Sequence, residues 1–377
     1  MPDESSPATT DPSRPTRGGG GGGGRRRKPR AGRRKALVIT ACTAAGLVVL
    51  AGAGAGFLYF KLNGNIKGVD INAALGPDRP ANVDDGSMDI LVLGSDSRSG
   101  ANAKYGKDGG GARSDTAMVV HVYKGHQKAS VVSIPRDTLV TRPACTDSAG
   151  NSVAGGNQQM FNTAYEVGGP ACAVKTVEKM SGIRMDHYVE VDFSGFKKLI
   201  NTLGGVDITT QQAIDDDKSH LHLAAGKHTL DGEQSLGLVR TRHAVGDGSD
   251  LGRIQLQQAF MKALINQIKD VGVFTSPKKL YDLADTATSA VTTDSELNSV
   301  NELAGFAGGL KGIGAGDMKM VTLPVQYDPA DPNRVLPLEK AGAKVWAALK
   351  TDQPVPASAL KGSAGDKGAA GSVVTSH

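Results

Sequence analysis

The run Met88–Leu93 (MDILVL) is a short apolar stretch that ends at Gly94, and two similar runs follow it, TAMVVHVY at 116–123 and ASVVSI at 129–134. Runs of this kind predict buried β-strands, and the turn between the second and third predicts a hairpin. Helical spacing follows in four segments: 171–180, 194–203, 232–239 and 251–268. With a further alternating run at 187–193, strands that alternate with helices predict a layered α/β sandwich.

An uncharged apolar segment, Ala36–Phe60, lies upstream of these strands. At about 1.5 Å per residue it is long enough to cross a hydrocarbon core of about 30 Å, which predicts one transmembrane helix. Ten basic and three acidic residues precede it, so the positive-inside rule predicts a cytoplasmic N-terminus and an extracytoplasmic remainder in the cell membrane. A cleaved signal peptide is the alternative, because the small residues at 51–56 suit a signal peptidase.

Charge and composition divide the rest of the chain. The net charge is +5, of which the first 35 residues supply +7, so the remainder is slightly acidic and a nucleic-acid partner is not expected. Both ends lack apolar residues to bury and are predicted to be disordered. The predicted regions are a cytoplasmic tail (1–35), the span (36–60), an extracytoplasmic spacer (61–85), a catalytic domain (86–351) and a disordered C-terminal tail (352–377).

Arginines and aspartates cluster where the predicted strands end or begin, in GSDSR (94–98), RSDT (113–116) and PRD (135–137). Strand ends are where an α/β sheet normally binds its ligand. Guanidinium groups make paired hydrogen bonds to phosphate oxygens, and paired carboxylates suit a hard divalent cation such as Mg²⁺. A structural ion-pair network is the alternative for any single pair.

A second basic group, RTRH (240–243), precedes the long predicted helix. Arg253 and Gln257 stand one turn apart on that helix and so share a face. His243 is predicted to be a hydrogen-bonding spacer, with proton transfer as the alternative. Four other histidines fit no metal-ligand spacing and are predicted at the surface: His187, His220, His222 and His228.

Two of the three cysteines, Cys145 and Cys172, lie in the predicted extracytoplasmic domain. An oxidising compartment permits a disulfide between them, and two buried free thiols are the alternative. The third, Cys42, falls inside the predicted span.

Five motifs in a fixed order, GSDSR, RSDT, SIPRDT, FNTAY and RTRH followed by DLGR, resemble those of the LytR-CpsA-Psr family over Met88–Ile268. The resemblance implies an α/β/α sandwich with a central mixed sheet behind one transmembrane helix. It also implies an enzyme, a metal-dependent phosphotransferase. Its reaction would transfer a glycopolymer from a polyprenyl-pyrophosphate carrier to peptidoglycan and form a phosphodiester, with the polyprenyl chain held inside the sandwich.

The same resemblance implies roles for individual residues. The residues that correspond to catalytic positions are Arg113, Asp115 and Arg136. Those that would bind the pyrophosphate are Arg98, Arg113, Arg136, Arg240, Arg242, Arg253 and Gln257. Asp96 and Asp115 would bind a Mg²⁺ or Mn²⁺ ion. Asp115 is the first candidate for a general base and Asp137 the second. The chain departs from the family pattern at Leu256, where an arginine is usual, and at Met160, where a lysine is frequent.

Two alternatives stay open. A phosphohydrolase that cleaves lipid pyrophosphates with water would use the same residues. A wall-polymer binding or regulatory protein without catalysis would not need paired aspartates beside the arginines.

Overall fold

The computed structural model describes residues 52–95, 114–147, 149–242, 250–272, 276–366 and 374–375. The chain divides into two compact units, residues 1–56 and 57–377. Among the described residues, no helix combines the length and the apolar character that crossing a membrane requires. The predicted cytoplasmic tail and most of the predicted span, residues 1–51, lie outside the described residues.

The described chain contains helices and strands in alternation. The helices are α1 (52–65), α2 (Ile71–Leu75), α3 (Phe161–Ser181), α4 (Phe193–Thr202), α5 (Gly232–Arg240), α6 (Asp250–Asp270), α7 (Pro277–Ala290), α8 (Val300–Leu310), α9 (Glu339–Lys350) and α10 (Ala357–Leu360). The strands are β1 (Lys67–Val69), β2 (Met88–Ser95), β3 (Ser114–Val122), β4 (Ala129–Ile134), β5 (Leu139–Arg142), β6 (Cys145–Thr146), β7 (Ser152–Val153), β8 (Gly156–Met160), β9 (His187–Asp192), β10 (Val206–Thr210), β11 (Ile214–Asp216), β12 (Leu221–Leu223), β13 (Gly226–Leu230), β14 (Val291–Asp294), β15 (Met318–Thr322), β16 (Val325–Tyr327), β17 (Val335–Pro337) and β18 (Val374–Thr375).

A seven-stranded sheet in the order β1-β14-β9-β2-β3-β4-β15 forms the centre of the domain. Three neighbouring pairs are parallel, β1 with β14, β9 with β2 and β4 with β15, and the other three are antiparallel. The predicted hairpin is confirmed as β3–β4. The predicted α/β class with a central mixed sheet is therefore confirmed.

Alternation along the central strands gives the sheet two apolar faces. Leu91, Val119 and Val132 are fully buried on one face, under α2, α3 and α9. Ile90 and Val120 point to the other face, where α8 packs through Phe306 and its neighbours. A separate apolar cluster joins α4, α5 and α6 to β10 and β13, and this second layer of packing encloses the site described below.

Residues 61–85, predicted as a spacer, contribute to the domain. β1 extends the central sheet at its edge, and Ile71 and Leu75 of α2 are almost completely buried. Arg79 then forms a buried ion pair with Glu178 of α3 at 2.5 Å. Because the segment as a whole is not hydrophobic, its composition does not predict that these few residues attach it to the domain.

The start of the predicted C-terminal tail, residues 352–366, also packs on the domain. Asp352 lies 3.3 Å from Nε2 of the buried His121, and Val355 and Ala359 are each 1% exposed. Small residues surround these two anchors in the sequence, which is why composition alone predicts disorder there.

Cys145 and Cys172 form a disulfide, with their Cα atoms 5.4 Å apart. It connects β6 to α3, and Gly168 packs so closely on it that a Cβ atom there would overlap the Cys172 sulfur. The predicted pairing is confirmed, and the alternative of two free thiols is wrong.

Replacing both disulfide cysteines with serine should lower the free energy of unfolding by about 3 kcal/mol, because the bridge closes a loop with a sequence separation of 27. Chemical denaturation of the oxidised protein and of the double variant measures the difference. Reductant should bring the unchanged protein to the stability of the variant and leave the variant unaffected. Equal unfolding midpoints under oxidising conditions would show that the bridge adds no stability.

Candidate functional site

Asp115 and Arg136 meet at one end of the central sheet. Both neighbours of β3 are antiparallel to it, so the start of β3 lies beside the ends of β2 and β4. Nη1 of Arg136 donates a hydrogen bond to Oδ1 of Asp115. Nε of Arg136 lies 3.5 Å from Oδ2 of Asp137 and 3.7 Å from Oδ1 of Asp250. The end of β4 and the start of β3 thus share one group of charges.

Asp250, in the first turn of α6, connects three arginines. It pairs with Arg253 one turn along the helix, and its Oδ1 lies 3.8 Å from Nη2 of Arg242 as well as near Arg136. Arg253 is 3% exposed, and its Nη2 also donates to the backbone oxygen of Asp115 at 3.0 Å. The predicted site residues did not include Asp250. An acidic residue in the first helical turn, three residues before an arginine, was the available signal.

Gln257 fixes α6 to the strand that carries Asp115. Its Nε2 donates to Oγ1 of Thr116 at 2.9 Å and to the backbone oxygen of Val239 at 3.0 Å. The side chain is 6% exposed. Gln257 therefore holds α6, β3 and the end of α5 together at the site, which is a positioning role.

The RTRH segment leaves α5 and is held by the hairpin β11–β12. The backbone N–H of Arg242 donates to Oδ2 of Asp216 at 3.2 Å, and the hydroxyls of Thr241 and Ser219 lie 2.8 Å apart. The guanidinium group of Arg240 stacks over the ring of Phe193, 5.0 Å from its centre. These contacts direct two arginines toward the start of α4 and the first turn of α6.

Burial and neighbouring charges shift the pKa values of this cluster in different directions. Burial raises the pKa of Asp115, but the charges of Arg253 and Arg136 outweigh it, so the net pKa is lowered. Burial raises the pKa of Asp137. Burial and the positive charges of Arg253 and Arg136 lower the pKa of Arg242. Asp115 therefore stays ionised, and the positive charges repel one another in a way that a bound anion would relieve.

Two guanidinium groups retain unused donors. Nε of Arg136 and Nε of Arg253 are buried and have no hydrogen-bond acceptor within the described part of the chain. A buried N–H of a charged group without an acceptor is costly. Both carboxylate oxygens of Asp250 are likewise buried without a hydrogen-bond donor in the described residues, so the cluster has unmet acceptors as well as donors. Oxygen atoms of an anionic ligand would satisfy the two guanidinium donors.

A cavity of about 480 Å³ extends from this cluster between α4 and α6. Its charged end includes Asp115, Arg240, Arg242, Arg253 and Gln257. The rest of its wall is largely apolar: Val92, Met118, Phe193, Phe196, Leu199, Ile200, Leu236, Val239, Phe260, Met261 and Leu264. A charged end and an apolar body suit an amphipathic ligand.

The structure brings six predicted site residues to this region: Asp115, Arg136, Arg240, Arg242, Arg253 and Gln257. Four other residues considered from the sequence, Asp96, Arg98, Arg113 and His243, lie outside the described residues. Asp96, the predicted metal-binding partner of Asp115, is among those four.

Leu256 and Met160, the two departures from the family pattern, occupy different surroundings. Leu256 is fully buried in the apolar cluster of α4, α5 and α6 and does not line the cavity. Met160 ends β8 and directly precedes α3, without a side-chain cap. The leucine therefore contributes to packing, and the structure shows no contact through which it would touch a ligand in the cavity.

The histidines have mixed outcomes. His220 and His222 are exposed as predicted. His187 is mostly buried, with Nδ1 3.2 Å from Oδ2 of Asp294 and its ring edge-on to Phe306, so its predicted surface position is wrong. Among the described residues, the groups with metal-binding spacing are His187, Asp294 and Glu296, and Asp215, Asp217 and His222.

Fold and site together define a class of protein. A mixed sheet that presents an arginine and carboxylate cluster beside a largely apolar cavity suits an anionic ligand that also has an apolar part. The LytR_cpsA_psr family model matches residues 58–351. The chain belongs to this family.

Two curated relatives and one solved structure illustrate the similarity. The chain is 33% identical to the cell wall biosynthesis protein LcpA of Corynebacterium glutamicum, over 74% of this chain and 58% of LcpA. It is also 33% identical to the polyisoprenyl-teichoic acid–peptidoglycan teichoic acid transferase TagT of Bacillus subtilis, over 74% of this chain and 84% of TagT. The structure of TagT bound to LI-WTA aligns with a TM-score of 0.53 and 26% identity, covering 74% of this chain and 95% of that one.

Proposed function

We propose that this protein transfers a glycopolymer from a polyprenyl-pyrophosphate carrier to peptidoglycan. The observation that carries the proposal is the amphipathic cavity, with Arg240, Arg242 and Arg253 at one end and apolar side chains along its length. A polyprenyl pyrophosphate has the same division between charged and apolar parts. The names of TagT and LcpA, which refer to polyisoprenyl-linked teichoic acid, peptidoglycan and the cell wall, support the same chemistry.

In the proposed reaction, a hydroxyl of peptidoglycan attacks the phosphorus that carries the sugar. The new P–O bond forms as the bond between the two phosphates breaks, and the lipid phosphate leaves. The arginines hold the pyrophosphate and stabilise charge on its oxygens, so most of the catalysis is positioning and electrostatics.

The proton of the attacking hydroxyl needs a carboxylate acceptor. Asp115 was the first candidate from the sequence, but its carboxylate accepts a hydrogen bond from Arg136 and its pKa is lowered. The pKa of Asp137 is raised by burial, which makes it the stronger base of the two. On basicity we propose that Asp137, which lies beside Arg136 but does not line the cavity, accepts the proton, and that Asp115, which does line it, has an electrostatic role.

Asp115 also suits a metal ion, because a carboxylate that stays ionised is a ligand that Mg²⁺ or Mn²⁺ prefers. The proposed ion would be held by Asp96 and Asp115, and it would neutralise phosphate charge when bound. Binding can be measured without activity, by titrating Mn²⁺ into the protein and following the electron paramagnetic resonance signal. Asp115→Asn should weaken binding at least tenfold, whereas Asp84→Asn, at an exposed position outside both groups with metal-binding spacing, should not; equal affinities would contradict the assignment.

We further propose that residues 36–60 anchor the protein in the cell membrane with the domain outside the cytoplasm. The lipid carrier and the wall acceptor meet only in that compartment. The uncharged segment and the basic residues before it support this placement.

The direct test uses the full chain in phospholipid vesicles with a labelled polyprenyl-pyrophosphate glycopolymer and peptidoglycan. Label that becomes covalently attached to peptidoglycan supports transfer. Release of labelled polymer phosphate without an adduct would establish the phosphohydrolase instead. Retention of intact substrate on the protein without turnover would indicate a binding protein.

A further inference from the structure

Helices α1 and α7 lie side by side and run in the same direction. Nζ of Lys61 is 2.9 Å from the hydroxyl of Tyr281 and 3.0 Å from Oδ1 of Asp285. One turn later, Nδ2 of Asn65 donates to Asp285 at 3.1 Å and lies 3.4 Å from Oγ1 of Thr288. Because the contacts advance together along both helices, continuing them backward by one turn would place the turn of α1 before Lys61 beside the first turn of α7.

Those two turns are unusually apolar for a surface. Phe57 and Phe60 of α1 are 69% and 76% exposed, and Leu280 of α7 is 45% exposed. Lys278 and Lys279 directly precede Leu280 on α7. Nζ of Lys278 pairs with Asp282 at 2.5 Å and Nζ of Lys279 donates to the backbone oxygen of Val271, and each ammonium group keeps further donors. An exposed apolar side chain beside lysines matches a phospholipid surface, where the apolar group enters the acyl boundary and the ammonium groups reach the phosphates. Phe57 and Phe60 also close the segment proposed to cross the membrane.

Helix α4 runs opposite to α7. The hydroxyls of Thr202, at the end of α4, and Thr286 are 3.0 Å apart. Near the start of α4, Gly195 packs directly against Ala290 at the end of α7, with no room for a Cβ atom. The C-terminal end of α4 therefore points toward the first turn of α7.

The apolar part of the cavity lies at this same end. Leu199 lines it near the end of α4, and Met261 and Leu264 line it along α6. The backbone oxygen of Val271, just after α6, accepts a hydrogen bond from Nζ of Lys279 at 3.1 Å. The cavity thus extends from the arginines at the start of α6 along α4 and α6, over about 16 Å between residues 253 and 264, in the direction of the first turn of α7, which does not itself line it.

We propose that the first turn of α7, Pro277–Leu280, rests on the bilayer surface and forms the entrance by which the lipid chain passes from the membrane into the cavity. The substrate part of this inference rests on the proposed function, and the surface contact does not. In this arrangement the distance between the pyrophosphate site and the membrane surface equals the length of the cavity. The lipid chain then enters the cavity without passing through water.

The contact is tested with the full chain in vesicles of phosphatidylglycerol and phosphatidylcholine that contain a spin-labelled quencher lipid. Leu280→Cys and Val83→Cys, each in a Cys42→Ser background, receive an environment-sensitive fluorophore. Val83 is 63% exposed and serves as the control position. It is near Asp85, which pairs with Lys124 just after β3, at the end of that strand farthest from Asp115. Strong quenching at 280 with little at 83 is expected. Equal quenching at both positions would overturn the contact.

The entrance is tested by Leu280→Glu, with Val83→Glu as the matched control. With a polyprenyl-pyrophosphate substrate embedded in the same vesicles, Leu280→Glu should raise KM about tenfold, the loss expected for one buried leucine. With a short-chain, water-soluble lipid pyrophosphate, KM and kcat should stay unchanged. An equal effect on both substrates would overturn the entrance. Turnover of neither substrate by the unchanged protein would instead overturn the proposed transfer, and the quenching result would still decide the surface contact.

Discussion

Arg253→Met is expected to lower kcat/KM for glycopolymer transfer by about 10²–10³-fold, the effect of removing one charged donor from a reacting oxygen. Methionine keeps the length and packing of the side chain but removes the guanidinium group. That group pairs with Asp250 and reaches the backbone oxygen of Asp115, and its Nε has no acceptor in the described part of the chain. The loss should fall mainly on kcat, because the developing charge needs the donor most.

The control for this variant is Arg184→Met. Arg184 is a partly exposed arginine that precedes β9, at the end of the sheet opposite Asp115. Its replacement should leave transfer within a factor of two. Thermal unfolding of both variants separates lost catalysis from lost folded protein, since Arg253 is also buried. Full activity of a folded Arg253→Met protein would remove this arginine from the mechanism.

Asp250 shows how far the site could be predicted from sequence. The motifs identify the arginines because each lies in a short recognisable pattern at a predicted strand or helix end. Asp250 connects Arg242 and Arg253, which are near it in sequence, to Arg136, which is distant, and only the folded chain brings Arg136 to the other two. Residue types can therefore be predicted from local patterns, whereas the pairing among them depends on tertiary contacts.

The strands of the central sheet were predictable for a related reason. Buried strands need continuous apolar runs, and β2, β3 and β4 have them. Segments fixed by a few anchors were not predictable from composition. Val355 and Ala359 hold the C-terminal segment, and each is a small or medium residue in a stretch that otherwise suggests disorder.

The cavity and the cluster also depend on each other physically. Phe193 supports the guanidinium group of Arg240, and Gln257 holds α6 against β3, so the same elements that enclose the apolar space also orient the charges. A ligand with only an anionic head or only an apolar chain would use half of these contacts. This coupling favours a lipid-linked anion over free phosphate or a free fatty chain.

The largest effect on stability is expected from Arg79→Met. Arg79 and Glu178 are a buried ion pair, with side chains only 4% and 3% exposed. Arg79 also donates to Oδ1 of Asn72 at 2.6 Å and to the backbone oxygen of Met185 at 2.9 Å. Removing the cation leaves Glu178 buried without its partner, which should cost about 3–5 kcal/mol of the free energy of unfolding.

A double variant separates the ion pair from simple packing. Arg79→Met with Glu178→Met removes both charges, and it should recover most of the stability because no uncompensated charge remains. Glu233→Gln, which breaks the exposed pair with Lys197 at 3.0 Å, should change stability by less than about 1 kcal/mol. Chemical denaturation of the four proteins gives these values.

Equal losses for Arg79→Met and the double variant would show that the arginine contributes packing and hydrogen bonds rather than charge. The pair would then not be what fixes residues 61–85 to the domain, and Ile71 and Leu75 would have to supply that attachment.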